Sequence, residues 1–116
     1  MEFCGVCRQF CLKNQQQYDT IGQFWDEMSS KYGMENLQGL GFQWQGMQMS
    51  YAIGLKNGEI PNADLWVNLP DSGWTTVNGK TENLQEIYDE IYKGGRLLYE
   101  IETFYENGLC QIQYYR

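Results

Sequence analysis

The chain has 116 residues, enough for one domain with a hydrophobic core, and its hydrophobic content of 42% excludes a disordered protein. Its formal net charge of −7, from 15 acidic and 8 basic residues, argues against direct nucleic-acid binding, which needs a basic surface. There is no apolar run of membrane-spanning length and no signal peptide, so we expect a cytoplasmic protein that does not enter a membrane, with its four cysteines reduced.

The first half of the chain predicts a strand, a helix and then further strands. Thr20 and Gln23 are placed as a capping box for a helix that Gly33 ends, and apolar side chains recur along it at helical spacing. Residues 34–41 predict a loop. The strands are predicted at residues 2–12, 42–44, 47–55 and 63–69.

The second half predicts one more short strand and a second helix. The strand covers residues 74–77 and ends at Asn78-Gly79. The helix follows Asn83 as its cap, with Thr81 as the competing start, and ends at Gly94-Gly95. Its apolar stripe, with side chains at i, i+3, i+4, i+7 and i+8, comprises Leu84, Ile87, Tyr88, Ile91 and Tyr92.

Residues 97–115 predict a β-hairpin. Asn107-Gly108 predicts a type I′ turn, which sets a register with Glu102 opposite Gln113 and Ile101 on the other, core face. The face of Glu102 is then predicted to carry Leu98, Glu100, Glu102, Phe104, Gln111, Gln113 and Tyr115. This mixture of polar and aromatic side chains fits either a solvated sheet face or the wall of a ligand site.

Two amphipathic helices can cover only one side of an antiparallel sheet of six or seven strands, so the predicted fold class is α+β, in one domain over residues 1–116. The order of elements also divides into two half-domains, each a helix with its strands. The aromatic content is high, with 4 Trp, 9 Tyr and 5 Phe, so we expect some of these rings to line a surface or pocket.

Several motifs follow one another in a characteristic order. They are a Gly-containing first strand, Phe24-Trp25 in the first helix, Tyr51-Ala52-Ile53-Gly54, the stretch LPDSGWTTVNG at residues 69–79, a helix rich in Ile and Tyr, and Glu102-Thr103-Phe104. Together they resemble the GyrI-like small-molecule-binding domain, the effector-binding domain of many AraC-type and MerR-type multidrug transcription regulators, which is also found alone. The resemblance spans the whole chain. It departs from the family pattern in the loop after the second helix, which is shortened to KGGR.

The resemblance implies a curved antiparallel sheet of two pseudo-symmetric halves, with two helices on the convex face and a ligand groove on the other. It also implies that the domain binds lipophilic, often cationic, small molecules, and that the family's pocket carboxylate corresponds to Glu102. Burial among aromatic rings would raise the pKa of Glu102 unless a cation pairs with it. The candidate ligand-binding residues are Glu102, Trp66, Tyr51, Phe104, Tyr115 and Trp25.

Metal and cofactor chemistry have little support in the sequence. Cys4, Cys7, Cys11 and Cys110 suggest a zinc site by number, but an extended strand would turn Cys4 away from Cys7 and Cys11, so we expect no metal. The chain has no histidine and no GxGxxG or P-loop pattern, so neither a Ser-His or Cys-His nucleophile nor any cofactor is expected.

The leading hypothesis is a domain that senses or sequesters a lipophilic, possibly cationic, small molecule without itself contacting nucleic acid. The sequence does not distinguish the effector domain of a regulator from a stand-alone protein, and it does not specify the oligomeric state. One alternative is a hydrolase of reactive electrophilic small molecules, with Glu102 as general acid or base. Another is a protein-inhibiting interaction module with an exposed patch. Glu102 and Glu100 could also simply be exposed residues of a wet sheet face.

Overall fold

The computed structural model describes residues 1–116, which form seven β-strands and two α-helices. In chain order they are β1 (Glu2–Cys11), α1 (Gln17–Tyr32), β2 (Leu37–Gln45), β3 (Gln48–Leu55), β4 (Leu65–Asn68), β5 (Thr75–Lys80), α2 (Leu84–Lys93), β6 (Tyr99–Phe104) and β7 (Leu109–Tyr115). Every predicted strand and both predicted helices are present. The predicted α+β class is therefore confirmed.

All seven strands form one antiparallel sheet in the order β4-β1-β3-β2-β6-β7-β5. The order contains two copies of one pattern, because β1-α1-β2-β3 and β5-α2-β6-β7 are both β-α-β-β units whose last strand lies between the other two. The units meet where β2 pairs with β6, and β4 is added beside β1. This topology has the two pseudo-symmetric halves that the resemblance implied.

Both faces of the sheet are packed. The two helices lie on one face, where the buried residues include Phe24, Trp25, Met28, Tyr51, Ile53, Tyr88, Ile91 and Ile112. The opposite face has an apolar cluster of its own, made of Phe3, Leu40, Phe42, Ala52, Leu69 and Ile101. Apolar burial on both sides of the sheet provides the main stabilisation of the fold.

Helix α1 begins four residues earlier than predicted, with Gln16 rather than Thr20 at its N-cap position. Thr20 lies inside the helix, where its hydroxyl donates a hydrogen bond to the Gln16 carbonyl oxygen at 3.1 Å instead of capping the first turn. Gly33 ends α1 as predicted, with φ of +83°. Helix α2 begins directly after Asn83, also as predicted. Neither helix combines the length and the hydropathy that crossing a membrane would require.

Strand β2 corrects the prediction of a loop at residues 34–41. Most of that stretch is in the strand, which pairs with β3 on one side and β6 on the other, and Leu37 and Leu40 are completely buried. Glycine occurs here because another group needs the space: a Cβ at Gly39 would overlap the Tyr51 hydroxyl. A glycine-rich segment that reads as a loop is thus the middle of the sheet.

The turn of the β6–β7 hairpin is not the predicted type I′ turn. The Tyr105 N–H donates to the Leu109 carbonyl oxygen, so residues 106–108 form the loop. Gly108 has φ of +77°, whereas Asn107 is not among the residues with positive φ. A three-residue loop with glycine in the left-handed position is a common alternative to the two-residue turn, and the two differ by one residue in register.

The predicted hairpin register is therefore wrong by one residue. Glu102 lies opposite Ile112 rather than Gln113. Because opposed residues share a face, Glu102 lies on the helix-covered face with Ile112. Tyr115 pairs with Tyr99 and lies on the other face, where both rings approach Trp74.

Candidate functional site

A cavity of about 450 Å³ lies between α1, α2 and the sheet, over the strands where the two halves meet. Twelve of its eighteen lining residues are hydrophobic, so the cavity has the size and the mainly apolar surface of a small-molecule site. Its carboxylates are Glu100 and Glu102 of β6 and Asp26 of α1. Aromatic side chains from both helices and from the sheet surround them.

The cavity does not lie on the helix-free face, where the resemblance implied a groove. That face is filled by its own apolar cluster, including Leu40 and Ile101. On the helix-covered face, β2 contributes two glycines, Gly39 directly beside Glu102 and Gly41 directly beside Glu100. The missing side chains leave room for the cavity-lining side chains of Tyr51 over Gly39 and of Met49 and Trp44 over Gly41.

Glu102 is buried, with 6% of its surface exposed. The Tyr88 hydroxyl, from α2, donates a hydrogen bond to Glu102 Oε2, and the Tyr51 hydroxyl, from β3, is a second hydrogen-bonding neighbour of the carboxylate. Burial raises the pKa of Glu102, and the two tyrosine hydroxyls offset only part of that rise. The protein thus keeps an acidic group in an environment that disfavours its charge.

Glu100 is buried more deeply, with 2% of its surface exposed. The Tyr92 hydroxyl donates to Glu100 Oε2 at 2.9 Å. Burial first, and then the charge of Glu102, raise the pKa of Glu100 well above its ordinary value, while the hydrogen bond from Tyr92 lowers it. Two like charges at this depth cannot both ionise without cost.

The two tyrosine–glutamate pairs form a regular unit, which we call the Tyr–Glu ladder. Tyr88 and Tyr92 are one helical turn apart on α2, with stacked rings whose centroids are 6.0 Å apart. Their partners, Glu102 and Glu100, are two residues apart on one face of β6. Four helical residues rise about 6 Å and two strand residues about 7 Å, so the spacings of helix and strand match.

Tyr51 is held in place by aromatic neighbours. The Trp25 Nε1–H, from α1, donates to the Tyr51 hydroxyl oxygen at 2.8 Å, and the Trp25 ring meets Phe104 edge-to-face, with centroids 5.1 Å apart. A hydroxyl that accepts from Trp25 still has its own proton to donate, and Glu102 is the neighbouring acceptor. This chain of contacts connects α1 through the sheet to the buried carboxylate.

No lysine or arginine lines the cavity. Arg8 pairs instead with Glu27 on the outer side of α1, at 2.8 Å, and Arg116 donates to the carbonyl oxygens of Ile91 and Gly95 at the end of α2. The two buried carboxylates, Glu100 and Glu102, therefore have hydrogen-bond donors but no counter-charge. Such a site is chemically suited to a cation that also has apolar surface.

The structure brings four of the six sequence-predicted residues together at this cavity. Glu102, Tyr51, Phe104 and Trp25 all line it. Trp66 lies on the edge strand β4, more than half exposed, and does not line the cavity. Tyr115, as described above, lies on the opposite face of the sheet because of the changed hairpin register.

Sequence reasoning missed the tyrosines of α2. Tyr88 and Tyr92 appear in the sequence as part of an ordinary apolar stripe, together with Leu84 and Ile91. One usable signal exists, since tyrosine carries a hydroxyl that needs a partner when buried, and an i, i+4 pair of tyrosines places two hydroxyls on one side of a helix. The residue that accepts the hydrogen bond from each hydroxyl is determined only by the tertiary fold.

Neither a family model nor a curated protein matches this chain. Among solved structures, the chain is similar to SAV2435, whose structure was determined with bound tetraphenylphosphonium. The two chains are 12% identical and superimpose with a TM-score of 0.66 over 98% of this chain and 87% of SAV2435. At that identity the match shows a shared fold, and it supports the GyrI-like fold expected from the sequence.

Proposed function

We propose that this chain is a small-molecule-binding domain that takes lipophilic cations into the cavity between α1 and α2. Glu102 sets the preference for positive charge. Tyr51, Phe104 and Trp25 supply apolar and aromatic contact, and the faces of such rings attract cations.

One observation carries the proposal: the buried carboxylates in the cavity have no basic side chain beside them. A buried acidic group without a counter-charge must either take up a proton or remain charged at a high cost in free energy. A bound cation would offset that cost. The shared fold with SAV2435, whose structure holds the lipophilic cation tetraphenylphosphonium, supports the same class of ligand for this chain.

Titration of the protein with tetraphenylphosphonium tests the proposal. We expect the Glu102→Gln variant to bind this cation about ten-fold or more weakly than the native protein, because the ion pair with the buried carboxylate is lost. Glu106→Gln is the matched control, since Glu106 is exposed in the β6–β7 loop. Unchanged affinity in Glu102→Gln, or no binding by the native protein, would contradict the proposal.

We further propose that ligand binding serves sensing, in a protein associated with transcription regulation. The resemblance to effector domains of multidrug regulators supports this role. With a net charge of −7 and both helices packed on the sheet, the domain has no basic helix to offer to DNA, so another domain or chain would make that contact.

A further inference from the structure

The cavity has acceptors for two positive groups. Glu100 and Glu102 both line it, both are at least 94% buried, and each is held by its own tyrosine of the Tyr–Glu ladder. They lie two residues apart on one strand face, a rise of about 7 Å along the backbone. The two carboxylates are therefore distinct acceptors, each with its own tyrosine donor.

A third buried acceptor points to the chemistry of the ligand. The Gln17 side-chain oxygen, from the first turn of α1, is buried and accepts no hydrogen bond, and Gln17 lines the same cavity. An unsatisfied buried acceptor costs free energy that a donor on a ligand would recover. Ammonium and amidinium groups carry N–H donors, whereas a quaternary phosphonium or ammonium does not.

We propose that the cavity takes one dication bearing N–H donors, with one positive group at Glu100 and the other at Glu102, in preference to a monocation of the same shape. This inference rests on the proposed function. Charge balance supports it, because a monocation leaves one of the two buried carboxylates without a counter-charge, whereas a dication matches both. The apolar walls then favour an aromatic spacer between the positive groups.

A pair of matched ligands tests the proposal. In p-xylylenediamine two ammonium groups stand at opposite ends of one benzene ring, and in 4-methylbenzylamine a methyl group replaces one aminomethyl group. We expect the native protein, titrated by NMR, to bind the diamine at least about ten-fold more tightly than the monoamine, because the diamine makes one more charge-assisted contact. Equal affinities for the two amines would overturn the proposal.

The variant Glu100→Gln tests whether Glu100 binds the second positive group of the ligand. We expect this change to remove most of the preference for the diamine while altering the affinity for the monoamine far less, and we expect Glu106→Gln to keep the full preference. Equal weakening of both amines by Glu100→Gln would overturn the assignment of the second positive group to Glu100. The comparison of the two amines on the native protein stands even if the variant folds poorly.

The outcomes also separate this proposal from the proposed function. If tetraphenylphosphonium binds and the two amines bind equally, the cavity is a cation site without a preference for dications. If neither tetraphenylphosphonium nor the amines bind, both proposals are overturned. A diamine preference that Glu100→Gln abolishes supports both.

Discussion

Gly39 and Gly41 shape the site by carrying no side chain. They lie directly beside Glu102 and Glu100 in the sheet. The Tyr51 hydroxyl occupies the space above Gly39, where it reaches both Trp25 and Glu102. Any larger residue at position 39 would compete with the group that hydrogen-bonds the carboxylate.

Substitution of Gly39 by alanine tests this role. The new Cβ would overlap the Tyr51 hydroxyl and come within 3.0 Å of Trp25 Cζ2. We expect Gly39→Ala to lower the free energy of unfolding by about 1–3 kcal/mol, the usual cost of overpacking, and to weaken cation binding. Urea denaturation and the tetraphenylphosphonium titration measure the two effects.

Gly22→Ala is the matched control for that substitution. Gly22 also lines the cavity, but a Cβ there would meet no atom within 4 Å, and its position in α1 favours alanine by about 0.5–1 kcal/mol. We expect Gly22→Ala to be at least as stable as the native protein. Equal stability of the Gly39 and Gly22 variants would show that Tyr51 does not need the space above Gly39.

At the scale of single residues, the sequence could identify Glu102 but not its full surroundings. The strand pattern placed Glu102 on one face with Phe104, and the resemblance implied that it is the family's pocket carboxylate. Trp66 and Tyr115 are equally aromatic, yet they lie away from the cavity. Trp66 lies away from the cavity because its strand is at the edge of the sheet, and Tyr115 does so because the hairpin register differs by one residue from the prediction. Residue type alone predicts neither placement.

The Tyr–Glu ladder couples helix α2 to strand β6 and makes the stability of the fold depend on pH. The pKa values of Glu100 and Glu102 in the folded chain are raised above 4.5, chiefly by burial. Between 4.5 and the raised values, the folded chain holds more protons than the unfolded chain. The free energy of unfolding should therefore fall as the pH rises through this range.

Glu100→Gln tests this dependence. A neutral side chain of the same shape removes the charge that burial and Glu102 disfavour, and it can still accept the hydrogen bond from Tyr92. We expect the variant to be more stable than the native protein at pH 8 by about 1–2 kcal/mol, since each pH unit between folded and unfolded pKa values is worth about 1.4 kcal/mol. The two proteins should converge near pH 4.5.

Denaturant titrations from pH 4.5 to pH 8 supply the measurement, with Glu106→Gln as the control for a general change in net charge. The control should follow the native curve. A Glu100→Gln variant that is less stable than the native protein at pH 8 would mean that the charged form of Glu100 stabilises the ligand-free protein. That result would contradict the expectation that burial disfavours the charge of Glu100.

At the scale of elements, periodicity predicted both helices well, because 3.6-residue apolar spacing is a local property of the chain. The predicted type of the β6–β7 turn was wrong for a local reason, since the sequence Asn-Gly fits both a two-residue turn and a longer loop with glycine in the left-handed position. The prediction of a loop in place of the first part of β2 was wrong for a tertiary reason. The β2 glycines leave room for the side chains of Tyr51, Met49 and Trp44, and no local sequence rule predicts these contacts.

At the scale of the whole molecule, the cavity lies at the junction of two β-α-β-β halves. The first half contributes Trp25 and Tyr51, and the second contributes Tyr88 and both ladder glutamates. No local pattern specifies how α1 and α2 are placed over the junction, so the sequence could indicate two halves without showing that the cavity opens between the helices. The acidic and aromatic groups meet only in the assembled domain.

We propose that this junction selects positive charge on an apolar ligand. Tetraphenylphosphonium and tetraphenylborate have nearly the same shape and opposite charges, so calorimetric titration of the native protein with both isolates the contribution of charge. We predict measurable binding of tetraphenylphosphonium and an affinity for tetraphenylborate that is lower by about 100-fold or more, because the anion would meet two buried carboxylates and no basic group. Equal affinities for the two ions would contradict the selection of positive charge by the cavity.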